Sequence, residues 1–203
     1  MGVSPMTDAE LREAIKQVSY YIRCDVLGGF VKLDEIVPNA LEAVSGDYDS
    51  EELRPHAQRV LEEVVAEQRV REAQWPAVTD WDRFDAAFAA LEENGIVCRH
   101  NFSCCGTCAA GEIWDEIKAE RDKGREIVGC AHYNMQDTDS AVEGYGVYLS
   151  YGSVLEGERA AVSIGHEIAE AMRGQGLEVG WDGTWAKRIF VKMEWQRRVS
   201  PSW

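Results

Sequence analysis

The 203-residue chain, 45% hydrophobic and 28% charged, has the balance of a soluble globular protein long enough to bury a core in one large domain or two small ones. Its net charge of −15 gives no attraction to phosphate backbones or anionic lipid, so nucleic acid and membrane are excluded as expected partners and a protein partner is the expectation. No basic stretch followed by an apolar core opens the sequence, and no apolar run approaches the ~20 residues that span a bilayer.

A cytoplasmic location is therefore expected. Thiols stay reduced there, and clustered cysteines more often mean metal or redox chemistry than structural disulfides.

Thr7-Asp8-Ala9-Glu10 reads as a capping box opening a helix, with Leu11, Ile15, Val18 and Ile22 at helical spacing. Gly28-Gly29 then breaks the chain. No strand precedes these glycines, so they read as a turn and not as a phosphate loop. A short helix is predicted over Asp34 to Val44 and a long one over Glu51 to Gln74, where Val60, Leu61, Val64 and Val65 form the apolar stripe. Pro55 falls within the first turn of the long helix, where it is tolerated. His56 is a single histidine on a charged helix and reads as a solvated surface residue. Residues 1–78 thus read as a helical bundle, closed by the linker Trp75-Pro76-Ala77-Val78.

Residues 79–203 read as an α+β domain. Thr79 or Asp80 caps a helix carrying Phe84, Ala87, Phe88 and Leu91, and Asn94-Gly95 ends it. Ile96 to Phe102 reads as a strand, and Ile113, Trp114 and Ile117 mark the next helix. Strands are predicted over Ile127 to Asn134 and Val147 to Tyr151, joined by a polar connection around Gln136-Asp137-Thr138-Asp139. A helix with Ile164, Ile168 and Met172 on one face follows, and then two strands flanking the hairpin signal Asp182-Gly183. The order strand, helix, strand, strand, helix, strand, with one extra C-terminal hairpin strand, is the split βαβ pattern of a ferredoxin-like domain.

Three of the six cysteines fall in Cys104-Cys105-Gly106-Thr107-Cys108, at a strand-to-helix junction. If the first two strands are parallel, their C-terminal ends lie on one side, and this stretch neighbours the connection from Asn134 to Asp139. Two chemistries suit it. In thiol–disulfide redox, Cys105 is the nucleophile and Cys108 the resolving thiol, with the helix N-terminus favouring the thiolate. Against a thioredoxin-type mechanism, no proline lies between Pro76 and Pro201 to face the thiols. In zinc binding, Cys104, Cys105 and Cys108 supply thiolates and His132, His100 or Cys130 completes a tetrahedral set. Asn134, Gln136 and Asp137 are candidate polar neighbours, although Asp137 can equally cap a helical turn. Cys24, Cys98 and Cys130 read as small core residues.

Asn101-Phe102-Ser103-Cys104-Cys105-Gly106-Thr107-Cys108, Gln136-Asp137-Thr138, Trp181-Asp182-Gly183 and Trp195-Gln196-Arg197-Arg198 together resemble an uncharacterised bacterial family, a domain of unknown function. The Thr79-Asp80-Trp81-Asp82-Arg83 segment and the helical first half are similar too, so the resemblance covers most of the chain. That family usually carries Gly after the last cysteine of the cluster, where this chain has Ala109. It brings no activity with it. The strand order is also similar to the RNase E inhibitor regulator fold, a fold-level analogy alone.

The remaining motifs carry less. His166-Glu167-Ile168-Ala169-Glu170 lacks the second histidine of a zinc-protease helix, because Glu170 stands in its place. Trp181, Trp185 and Trp195 read as cross-strand packing or a ligand platform. Lys187, Arg188, Lys192, Arg197 and Arg198 are the one local basic concentration, matched to the chain's own acidic helices or to an acidic partner. No serine nucleophile elbow, P-loop or kinase signature occurs. The reading is a non-enzymatic binding or regulatory protein with a cysteine-cluster site. A thiol redox protein and a zinc-binding module are the alternatives.

Overall fold

The computed structural model describes residues 6–199 and is an α+β protein, with seven helices and a five-stranded mixed sheet among those residues. It divides into two compact units. One comprises the chain up to Pro76 together with a return segment beginning at Arg197; the other is Ala77–Gln196.

Three helices make up the first unit: α1 (Asp8–Gly28), α2 (Leu33–Val44) and α3 (Ser50–Glu72). The Thr7 box caps α1 from both sides, and α1 ends on Gly29 at φ 74, a left-handed conformation that suits glycine. Val18, Ile22 and Val26 of α1, Ile36 and Leu41 of α2, and Leu53, Ala57 and Val64 of α3 are buried in a shared core. The return segment is held by its own side chains. Arg197 donates to the Gly29 carbonyl and lies 4.2 Å from the Phe30 ring centroid, Arg198 donates to the Pro76 carbonyl, and the Val199 amide donates to Glu72 at 3.1 Å. These contacts join positions more than 120 residues apart, so no periodicity in the sequence records them.

The second unit runs α4 (Asp80–Glu93), β1 (Ile96–Arg99), α5 (Gly106–Asp122), β2 (Gly129–His132), α6 (Met135–Val142), β3 (Val147–Ser153), α7 (Glu158–Gly174), β4 (Glu178–Gly180) and β5 (Ile189–Lys192). The sheet order is β1-β2-β3-β5-β4. β1 pairs directly with β2 in parallel, Ile96 opposite Gly129 and Arg99 opposite His132, and the other pairings are antiparallel. This departs from the ferredoxin-like order, in which a strand separates the two arms of the split βαβ unit. The reason lies in burial. All of β2 is buried, as is β1 except Arg99, which suits neighbouring parallel strands covered on both faces. β3 alternates buried and less buried residues and is the central strand, antiparallel to β2 on one side and to β5 on the other.

Successive residues of β2 face opposite layers. Gly129 faces α7, where an added Cβ would meet Ile164 at 2.9 Å, whereas Cys130 joins Val97, Ile113, Ile117 and Ile127 beneath α5. Tyr133 faces Phe84 and Phe88 of α4. The polar connection expected at Gln136 is a short helix, α6, because Asn134 and Asp137 form a full capping box.

The two-residue hairpin expected at Asp182-Gly183 is instead a loop over residues 181–188. Asp182 accepts from the Thr184 amide and hydroxyl, and the Tyr151 hydroxyl and Trp181 indole both donate to the Thr184 and Lys187 carbonyls. Those anchors hold the chain open beyond a tight turn. No helix among the described residues is long and apolar enough to cross a membrane.

Candidate functional site

The site begins where β1 ends. Asn101 and Ser103 adopt φ 49 and φ 64, a left-handed conformation that costs a non-glycine residue about 1–2 kcal/mol and that Asn tolerates better than Ser. Flanking hydrogen bonds hold it: the Phe102 amide donates to the Tyr133 carbonyl at 2.7 Å, and the Met135 amide to the Ser103 carbonyl at 3.1 Å. The Thr138 hydroxyl donates to the Asn101 side-chain oxygen at 2.6 Å. The end of β1 is thereby stitched to the start of α6, and an added Cβ at Gly106 would lie 3.7 Å from the Asn134 side-chain Nδ2. Parallel pairing of β1 and β2 puts these two ends on one side.

Cys105 stands at the N-cap of α5 in extended backbone. The sulfurs of Cys104, Cys105 and Cys108 all lie within 4.8 Å of one another, Cys104 exposed and the other two half-buried. All three are free thiols. Cys105 closes no full capping hydrogen bond, yet the Cys108 amide, then the Cys108 thiol and the Thr107 amide, lower its pKa. The proton that Cys105 gives up readily is held by its neighbour: hydrogen bonding to Cys104 and Cys105 raises Cys108 to about 11. The trio therefore stabilises negative charge on one sulfur by donation from the others and from the helix N-terminus.

The other expected ligands lie elsewhere. His100 has both nitrogens engaged, Nδ1 3.0 Å from the Tyr133 hydroxyl and Nε2 3.0 Å from Asp85, in a setting made by Trp81, Phe84 and Phe88. Cys130 is in the core under α5, where burial pushes its thiol up to about 11. His132 is 4% exposed, packs edge-on against Phe102 with ring centroids 5.8 Å apart, and does not join the close sulfur group. Its Nδ1 has no hydrogen-bond partner among the described residues. Burial, then the Arg188 charge, lower its pKa to about 4, against an opposing pull from Asp137.

Among the polar neighbours, Asn134 caps α6 through the Gln136 and Asp137 amides, and Gln136 itself is exposed. Asp137 closes the capping box on the Asn134 amide and receives a bidentate Arg188 guanidinium at 3.0 and 2.6 Å. That ion pair joins positions 51 residues apart, so no local spacing in the sequence points to it. A second network ties Arg99 to Glu92 and Glu116, and Arg125 to Glu92 and Glu120. Hydrogen bonds from Lys123, then Arg125, hold Glu120 down at about 2.

The tryptophans do not make one platform. Trp181 meets Tyr151 and His166, Trp185 meets Tyr151, and Trp195 meets Tyr133. Of the basic cluster, Arg188 pairs with α6 and Lys192 with Glu178 across the β4–β5 ladder.

This is an α+β protein whose clustered thiols lie within metal-binding distance at the mouth of a βαβ crossover. The chain belongs to the family described as a domain of unknown function (DUF6891), which it matches over residues 11–199. Comparison with curated proteins and with solved structures finds no match.

Proposed function

We propose that Cys104, Cys105 and Cys108 bind a single thiophilic divalent ion, zinc above all, and that the protein is a non-enzymatic binding or regulatory module built around that centre. The observation that carries this reading is the convergence of three sulfurs within 4.8 Å at one helix N-terminus. Zinc takes thiolate ligands at about 2.3 Å in tetrahedral array, which needs sulfurs at roughly this mutual spacing. A bound cation would replace the protons that the thiols now share. Since His100, His132 and Cys130 do not join the close sulfur group, water or a donor from a protein partner takes the fourth position. Sites with three protein ligands keep such an open position, whereas closed structural sites use four.

The test is metal content and free-thiol count on untagged protein purified without oxygen. About one zinc per chain is expected, with the cluster thiols protected until chelator is added and the metal lost in Cys104→Ser, Cys105→Ser and Cys108→Ser. Metal-free protein that takes up no zinc on titration would overturn the reading. The lowered Cys105 and raised Cys108 pKa values favour one second reading, a dithiol–disulfide couple with Cys105 attacking and Cys108 resolving. Metal-free protein with one fast thiol, lost in Cys105→Ser, would select it.

A further inference from the structure

The α+β unit holds a cavity of about 420 Å³ apart from the cysteine corner. Trp114 of α5, Leu155 and Glu156 after β3, Glu158 and Ala161 of α7, and Trp185 of the β4–β5 loop line it. Three large apolar side chains are left in water there: Trp114 is 51% exposed, Trp185 46% and Leu155 70%. Trp185 is not loose. Tyr151 meets it edge-on at 5.4 Å, and the same tyrosine anchors the loop through the Thr184 and Lys187 carbonyls.

No Lys or Arg lines the cavity, and neither Glu156 nor Glu158 has an ion-pair or hydrogen-bond partner among the described residues. The first turn of α7 accounts for Glu158, since negative charge is favoured at a helix N-terminus. It does not account for Glu156. Two half-exposed indoles beside two uncompensated carboxylates, in a chain of net charge −15, repel anions and offer ring faces to cations. Indole is the best aromatic partner for a cation, and its attraction is greatest for a weakly hydrated ion that loses little on leaving water. The volume lies in the range of small-molecule sites.

We infer that this cavity binds a small quaternary ammonium compound, held between Trp114 and Trp185 with Glu156 and Glu158 balancing its charge. The inference does not depend on the metal reading.

Calorimetric titration of the full chain at low salt with choline, and with 3,3-dimethylbutanol as its uncharged isostere, tests it. Choline is expected to bind at least about tenfold more tightly than the isostere, with the advantage shrinking as salt is added. Trp114→Ala and Trp185→Ala should each weaken choline about tenfold, and Glu156→Gln by a few-fold. Trp114 and Glu156 are exposed, so those two variants keep the test valid if loss of Trp185 disturbs its loop. Equal binding of the isostere, no choline binding at millimolar concentration, or unchanged affinity in Trp114→Ala would overturn the inference. Binding of an arginine-rich peptide with no response to choline would also overturn it, by giving the cavity to a protein partner.

Discussion

Acidification reads out the buried imidazole of His132 directly. In the unfolded chain a histidine titrates near pH 6.5. In the folded protein burial, then Arg188, lower His132 to about 4. Between those values the unfolded chain binds a proton that the folded chain refuses, so stability falls as pH drops from about 6.5 and the loss saturates below about 4. At 1.36 kcal/mol per pKa unit the full loss is about 3 kcal/mol, a large share of the 5–15 kcal/mol that holds a typical domain together. The Glu120 carboxylate, held down at about 2, acts in a lower window, contributing stability above the ordinary carboxylate range that is lost as pH falls through 2.

Urea unfolding of the wild type and His132→Phe at pH 7, 6, 5 and 4 separates the two. Phenylalanine keeps a ring against Phe102 and removes a nitrogen that has no partner. The wild type should lose about 3 kcal/mol more than the variant between pH 7 and 4, and the His132 ring protons should titrate near pH 4 by NMR. Parallel pH dependences, or an NMR midpoint above 6, would refute the burial argument.

Arg188→Met should destabilise by about 1–3 kcal/mol in chemical denaturation, less than a fully buried pair because Arg188 is 39% exposed. It should also raise the His132 midpoint, since the Arg188 charge opposes protonation there. Gly129→Ala should cost about 1–3 kcal/mol in thermal melts, because its Cβ would meet the Gly152 carbonyl at 2.6 Å and Ile164 at 2.9 Å. In metal-free native protein a disulfide-exchange dye should label Cys104, Cys105 and Cys108 quickly and the buried Cys24, Cys98 and Cys130 only on unfolding. Cys105→Ser should abolish the fastest phase near neutral pH; uniform labelling of all six would contradict the burial of the latter three.

Local chemistry was legible in the sequence wherever a few adjacent residues decide the outcome. The Thr7 box predicts the start of α1 and Thr79 that of α4, because capping depends on near neighbours alone. The cysteine corner was legible for the same reason: its three thiols lie within five positions at the start of one helix. Parallel pairing, once expected, also brings Asn134 beside the corner.

Tertiary structure decided the rest. Whether β2 lies beside β1 or a strand away depends on which faces α4, α5 and α7 cover, and no spacing within a strand records that. His100 and His132 are similar candidate ligands as letters. They differ because one meets Asp85 and Tyr133 while the other is buried under Phe102. The Arg188–Asp137 pair and the meeting of Trp114 with Trp185 around one cavity join residues far apart in the chain. Such pairings arise when long-range packing closes, and each partner taken alone reads as an ordinary surface residue.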